Sequence, residues 1–200
     1  ILGEDLTNTA PRIALALRQS VKNLGKGLAA QINLPAWQDA AIRQITMDQK
    51  SPLFILSPHG TRLDDIAQEV HISSAADSAK IGFAIANAID SSAPTVKGLS
   101  KTEKELVARI ADALKSAKQA LIVSGTASMS LDLIEAAANI ATALASTEHK
   151  ANLALISPEA NSMGLALIMQ GKVNNLSAAF NSSSKTAIVL ENDLYRRAAS

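Results

Sequence analysis

The chain has 200 residues, of which 19 are basic, 18 acidic and none cysteine, giving a formal net charge of +1. Without a run of like charges, this near-balance excludes the footprint of a nucleic-acid or anionic-lipid binder, and without Cys the chain holds no disulfide or thiolate-ligated metal or cluster of its own. Its residues are 48% hydrophobic but only 2% aromatic, so the core must be packed from Ala, Leu, Ile and Val, and no apolar run approaches the ~20 residues that direct membrane insertion requires.

In chain order, Ile1-Leu2 reads as the end of a strand running into the turn Gly3-Glu4-Asp5 and, with no initiating Met, as the start of a piece cut from a longer protein. Thr9 is a candidate N-cap for a first helix, with Pro11 near its start and Ile13, Leu17, Val21, Leu24 and Leu28 on one stripe that Gly25 and Gly27 weaken. A short helix over Trp37 to Ile45 follows Pro35. Leu53 to Leu56 has the character of a buried strand, and His71 falls in a short edge strand, Glu69 to Ile72. Ser74 and Asp77 open a helix whose Ile81, Ile85 and Ile89 share one face.

Pro94 to Leu99 is rich in turn residues and is the candidate linker. Ser100-Lys101-Thr102-Glu103 is a capping box, in which each end satisfies an orphan N–H of the other, and it opens a helix with Leu106, Ile110 and Leu114 buried. A strand over Ala120 to Val123 is followed by a helix from Ser130 with Ile134, Ala137, Ala138, Ala141 and Leu144 inward. Strands at Leu153 to Ile156 and Ala187 to Leu190 complete the pattern. Ile122, Leu155 and Ile188 are spaced by 33 residues (155 − 122 and 188 − 155), close to one βαβ repeat. The expected fold is α/β: a Rossmann-like, mostly parallel sheet with helices on both faces, in an N-terminal half, 1–93, and a C-terminal half, 94–200.

Ligands of open α/β sheets bind beyond the carboxyl ends of the strands, which here are Ser57-Pro58-His59-Gly60, Ser124-Gly125-Thr126, Ser157-Pro158-Glu159 and Glu191-Asn192-Asp193. Ser124-Gly125-Thr126 is the candidate phosphate cradle, because Gly admits an anion to the backbone N–H groups and a helix follows, against the plainer reading of a tight β-to-α turn. Neither a G-x-G-x-x-G nor a G-x-x-x-x-G-K-[ST] pattern is present. His59, His71 and His149 have no ligand spacing, and His59 reads as a solvent-facing turn residue. The adjacent Asp64 and Asp65 point in different directions and fit a solvated turn. No G-x-S-x-G elbow occurs, and the sequons at Asn175 and Asn181 are chance matches. No catalytic or metal-binding residue is assigned.

Taken in order, Leu2-Gly3-Glu4-Asp5-Leu6-Thr7, Thr61-Arg62-Leu63-Asp64-Asp65-Ile66-Ala67, Gly82-Phe83-Ala84-Ile85-Ala86 and the residues Ser91, Ala93 and Pro94 form an ordered set. Ser124-Gly125-Thr126, Asn161-Ser162-Met163-Gly164-Leu165 and Val189-Leu190-Glu191-Asn192-Asp193-Leu194 continue it. Over essentially its whole length the chain resembles the large iron-sulfur subunit (the G subunit) of bacterial NADH-quinone oxidoreductase, respiratory complex I, in its molybdopterin-oxidoreductase-like region. The resemblance implies a proton-translocating parent complex in which electrons pass from NADH through iron-sulfur clusters to quinone. This stretch would then be scaffold, with no cofactor of its own and the clusters elsewhere in the parent chain.

The implied partners are other hydrophilic-arm subunits, including the flavin-bearing NADH-oxidising one, at the cytoplasmic side of the bacterial inner membrane as a peripheral part of the complex. Molybdopterin enzymes carry a Pro-Gly-Thr-Asp turn where this chain has Ser74-Ala75-Ala76-Asp77, which keeps the acid and loses the Gly and Thr. Asn161 and Gly164 resemble a second cofactor-side segment. The resemblance therefore implies a vestigial pocket, with Ser124, Gly125, Thr126, Asp77, Asn161 and Gly164 as its candidate residues. The alternatives are a fragment of a molybdopterin-dependent oxidoreductase and a nucleotide-binding module using Ser124-Gly125-Thr126.

Overall fold

The computed structural model describes residues 1–194 apart from 48, 158, 171, 173–175, 184 and 192. The chain divides into two compact units, Ile1–Pro158 and Glu159–Ser200. The first carries α1 (Leu6–Thr9), α2 (Pro11–Ser20), α3 (Asn23–Gln31), α4 (Asp39–Thr46), β1 (Phe54–Ser57), β2 (Glu69–Ile72), α5 (Ala75–Ile89), α6 (Lys101–Ser116), β3 (Ala120–Gly125), α7 (Leu131–Ser146) and β4 (Ala151–Ile156).

All the strand pairing among the described residues is parallel. β1 pairs with β2 from Phe54↔Glu69 to Ser57↔Ile72, and β3 pairs with β4 from Ala120↔Ala151 to Gly125↔Ile156. Leu2 bridges both pairs, opposite Leu56 on one side and Ser124 on the other. The fold is α/β as expected, with its strands in two two-stranded pairs that meet at Leu2.

Because strand side chains alternate between faces, the sheet buries two separate cores. Leu56 and Ile122 face a cluster with Ile81 and Ile85 of α5, Leu106 and Ile110 of α6, and Leu133 and Ile140 of α7. Their neighbours Ile55 and Val123 face the other way, onto Leu6, Leu17 and Val21. The Pro94–Leu99 stretch runs within this unit, and Val96 and Leu99 pack against the first cluster.

Three local details differ from the sequence expectation. The first helix is two helices, α2 and α3, because Ser51 takes up the backbone where they meet: its N–H donates to the Val21 carbonyl at 2.7 Å and its hydroxyl accepts from Leu24 N–H at 3.1 Å. Ala10, not Thr9, is the N-cap of α2. In α7 the buried face is Leu133, Ala136, Ala137, Ile140, Ala143 and Leu144, turned by about one residue from the expected stripe. The reason lies in α5, where a Cβ on Gly82 would stand 2.9 Å from both Ala136 Cβ and Leu2 Cδ2. The helices approach over these small residues.

Glu69 pairs with Arg109 of α6 through two hydrogen bonds of 2.7 and 3.0 Å, and Asp65 pairs with Arg18 of α2 through two of 2.8 Å. These exposed pairs hold helices to the rim of the sheet. Hydrogen bonding to Arg18 keeps the Asp65 carboxyl below the usual carboxylate range.

The second unit contains α8 (Ser162–Met169) and α9 (Leu176–Phe180). Met163, Leu165, Leu167 and Ile168 of α8 are all exposed. The expected strand over Ala187 to Leu190 does not form: these residues take no regular structure, and Ile188 is 85% exposed. An apolar run becomes a strand only when a ladder accepts its backbone, and none is found for it among the described residues.

The capping box at α6 is intact, with Ser100 Oγ accepting from Glu103 N–H at 3.2 Å and Glu103 Oε2 accepting from Ser100 N–H at 2.7 Å. The Ser100 backbone bond holds the Glu103 carboxyl below its ordinary value, so its contribution is complete above the unfolded-state value and is lost as pH falls through the lower folded one. Urea midpoints will show wild type ahead of Glu103→Gln at about pH 7 and level with it at about pH 3. Ser100→Ala will cost about 1 kcal/mol at neutral pH. Gly82→Val, which forces α5 and α7 apart, will cost about 1–3 kcal/mol in the same measurement.

Candidate functional site

At the centre of the sheet's carboxyl edge lies the turn between β3 and α7. Ser124 is fully buried and its hydroxyl donates to the Leu2 carbonyl at 2.9 Å. Thr126 N–H continues the ladder to Ile156 O at 3.0 Å, and Met129 N–H closes the turn onto Thr126 O at 3.0 Å. Ser128 Oγ donates to the Gly3 carbonyl. The turn is thus fastened to the segment that leaves Leu2.

That segment brings in a residue whose part is not evident from sequence. Glu4 is only 1% exposed, and its Oε2 accepts the Ala127 N–H at 3.2 Å. Gly125 makes room for it: a Cβ there would lie 2.5 Å from Glu4 Oε2 and would also strike the Ile156 carbonyl. In the candidate phosphate cradle, the Ala127 N–H is thus taken by a carboxylate of the chain itself. Among the described residues, Glu4 Oε1 and Thr7 Oγ1 are buried without a hydrogen-bond partner. The adjacent acid has the opposite fate, with Asp5 capping α1 through Thr7 N–H at 3.2 Å. The one signal for Glu4 in the sequence is position, an acid two residues past the end of a strand on the binding edge.

The other candidate residues lie apart from this turn. Asp77 is in the first turn of α5, where Ser74 Oγ donates to its carboxylate at 2.7 Å and accepts its N–H at 3.1 Å. The pair caps the helix, and the two groups are spent on one another. Asn161 and Gly164 belong to the second unit, with Asn161 at φ +61° as the N-cap of α8 and its side chain lying over Gly164, where a Cβ would strike it. His59 is an exposed turn residue, His71 lies in β2, and His149 meets Thr147 Oγ1 at 3.1 Å. Among the described residues no group of three or more His, Asp and Glu could hold a metal, and no helix is long and apolar enough to cross a membrane.

No family model matches the chain. Over 198 residues, 98% of this chain, it is 50% identical to the G subunit of the NADH-quinone oxidoreductase of Pseudomonas fluorescens. The protein of the same name from Shewanella oneidensis is 43% identical over 203 residues and that of Escherichia coli K12 is 42% identical over 200, each across 100% of this chain. The chain belongs to the family of NADH-quinone oxidoreductase G subunits. It spans 22% of the length of each of these relatives.

Asp77 and Ser74 are engaged with each other, and the Ala127 N–H donates to Glu4 Oε2. Gly125→Ala will drive a methyl group into Glu4 and the Ile156 carbonyl, and will cost about 2–3 kcal/mol by urea denaturation. Gly27→Ala, where a Cβ would meet nothing within 4 Å, will instead stabilise by about 0.5–1 kcal/mol, since Gly weakens a helix interior.

Proposed function

We propose that this chain is a scaffold segment of an electron-transfer subunit in a bacterial NADH-quinone oxidoreductase. The observation that carries the reading is the match to G-subunit relatives at 42–50% identity along the whole chain. The electron route from NADH through iron-sulfur clusters to quinone runs through other parts of the assembly, because a Cys-free segment supplies no thiolate to a cluster. The role of Ile1–Pro158 is to form an α/β body, with the β3–α7 turn at its carboxyl edge held by Glu4, against which other hydrophilic-arm subunits assemble at the cytoplasmic face of the inner membrane.

The scaffold reading is further supported by what the candidate cofactor residues do. Ser124, Ser74 and Asp77 are each committed to hydrogen bonds that fasten a strand or a helix end. A side chain spent in this way is not poised to meet a substrate.

An antibody to this segment, used to capture the intact protein from gently solubilised cells, will co-purify the flavin-bearing NADH-oxidising subunit and other hydrophilic-arm subunits, identified by mass spectrometry. Recovery of the protein alone, or with bound molybdenum, refutes the reading.

A further inference from the structure

Counted through Leu2, the parallel pairings run β2, β1, Leu2, β3, β4. The strands that follow Leu2 in the chain extend the ladder first to one side and then to the other, and this reversal falls between Leu2 and β3. Open parallel sheets bind ligands beyond their carboxyl ends at such a reversal. The residue delivered to that place is Glu4, which is buried to 1% exposure, with one carboxylate oxygen on Ala127 N–H at 3.2 Å and the other without a partner among the described residues.

Burying a carboxylate with one oxygen unpaired costs free energy. The backbone holds it there nonetheless. Gly3 has a φ of +68°, its carbonyl takes the Ser128 hydroxyl, and Ser124 Oγ fixes the Leu2 carbonyl at 2.9 Å. Gly125 offers a bare backbone that any larger residue would close. The turn ahead of α7 presents its amide to this carboxylate as it would to an oxygen of a free oxyanion.

We propose that Glu4 is the fold's internal anion: its carboxylate fills, at the β3–α7 turn, a seat built for a small oxyanion, and its removal opens that seat to free carboxylate or phosphate. This deepens the scaffold reading and rests on it, since a crevice closed by the chain's own side chain leaves no place for a nucleotide phosphate.

The test melts wild type, Glu4→Ala and Glu4→Gln forms of the intact protein in chloride, acetate and phosphate at one pH and ionic strength. Acetate or phosphate will raise the melting temperature of Glu4→Ala by about 2 °C or more over chloride. Wild type and Glu4→Gln, whose side chains still fill the seat, will not respond. A response to acetate alone identifies a carboxylate seat, and a response to phosphate identifies one that accepts phosphate; both support the proposal. No anion-specific rise in a folded Glu4→Ala protein, or an equal rise in all three proteins, overturns it. If Glu4→Ala does not fold in chloride, its refolding yield in the three salts becomes the measurement: recovery in acetate or phosphate supports the seat, and failure in all three overturns it. Failure here would leave the capture result untouched, because assembly with partner subunits does not depend on what a truncated Glu4 admits.

Discussion

The Leu2 N–H donates to the Val123 carbonyl at 2.8 Å, while the next N–H, of Gly3, donates to Leu56 O at 2.7 Å. Successive amides of one short segment thus serve two different strand pairs. Leu56 N–H returns a bond to Ile1 O at 2.9 Å, and the Ile1 nitrogen donates to Phe54 O at 2.8 Å. The β1–β2 and β3–β4 pairs meet through this segment, which makes them a common surface for helices to cover. The two cores, above and below, exist because Leu2 and Ile1 close the gap between the pairs.

Everything that lies over this join is small or fixed. The Leu2 side chain reaches the first core beside Gly82 and Ala136, so α5 and α7 approach at the position where the sheet is narrowest. Beyond the join, Gly3 turns the chain and Glu4 enters the β3–α7 turn. A larger residue at 82 would press on Leu2 and Ala136, and one at 125 on Glu4 and the Ile156 carbonyl. With only 2% aromatic residues, the protein has few large side chains to fill gaps, and close backbone approach takes their place.

Features with local causes were legible in the sequence. The Ser100–Glu103 capping box needs only its own four residues, and β1, β3 and β4 were visible as apolar runs, although Leu153 and Leu155 of β4 are exposed and not buried as the run suggested. Features decided by distant partners were not. The division between α2 and α3 depends on Ser51, which competes for their backbone groups from across a long connection. α7 is apolar around much of its circumference, so its periodicity placed the inward face one residue off, on Ile134 and Ala141 in place of the Leu133 and Ile140 that pack inward beside Gly82. Glu4 looked like an ordinary turn acid beside Asp5; its burial follows from the direction in which the chain leaves the sheet. The Ala187–Leu190 run had strand composition without a ladder to receive it.

The bridge at Leu2 also sets an order of events during folding. Its contact with Ser124 spans 122 residues, whereas β1 and β2, like β3 and β4, meet across a single connection. Closing so long a loop costs chain entropy that only the finished ladder offsets. On a ribosome, Leu2 can meet Leu56 once β1 has emerged, but its other edge waits for Ser124 of β3. The join between the two strand pairs therefore cannot be completed until β3 has been made, although its first residues leave the ribosome before any of the strands they join.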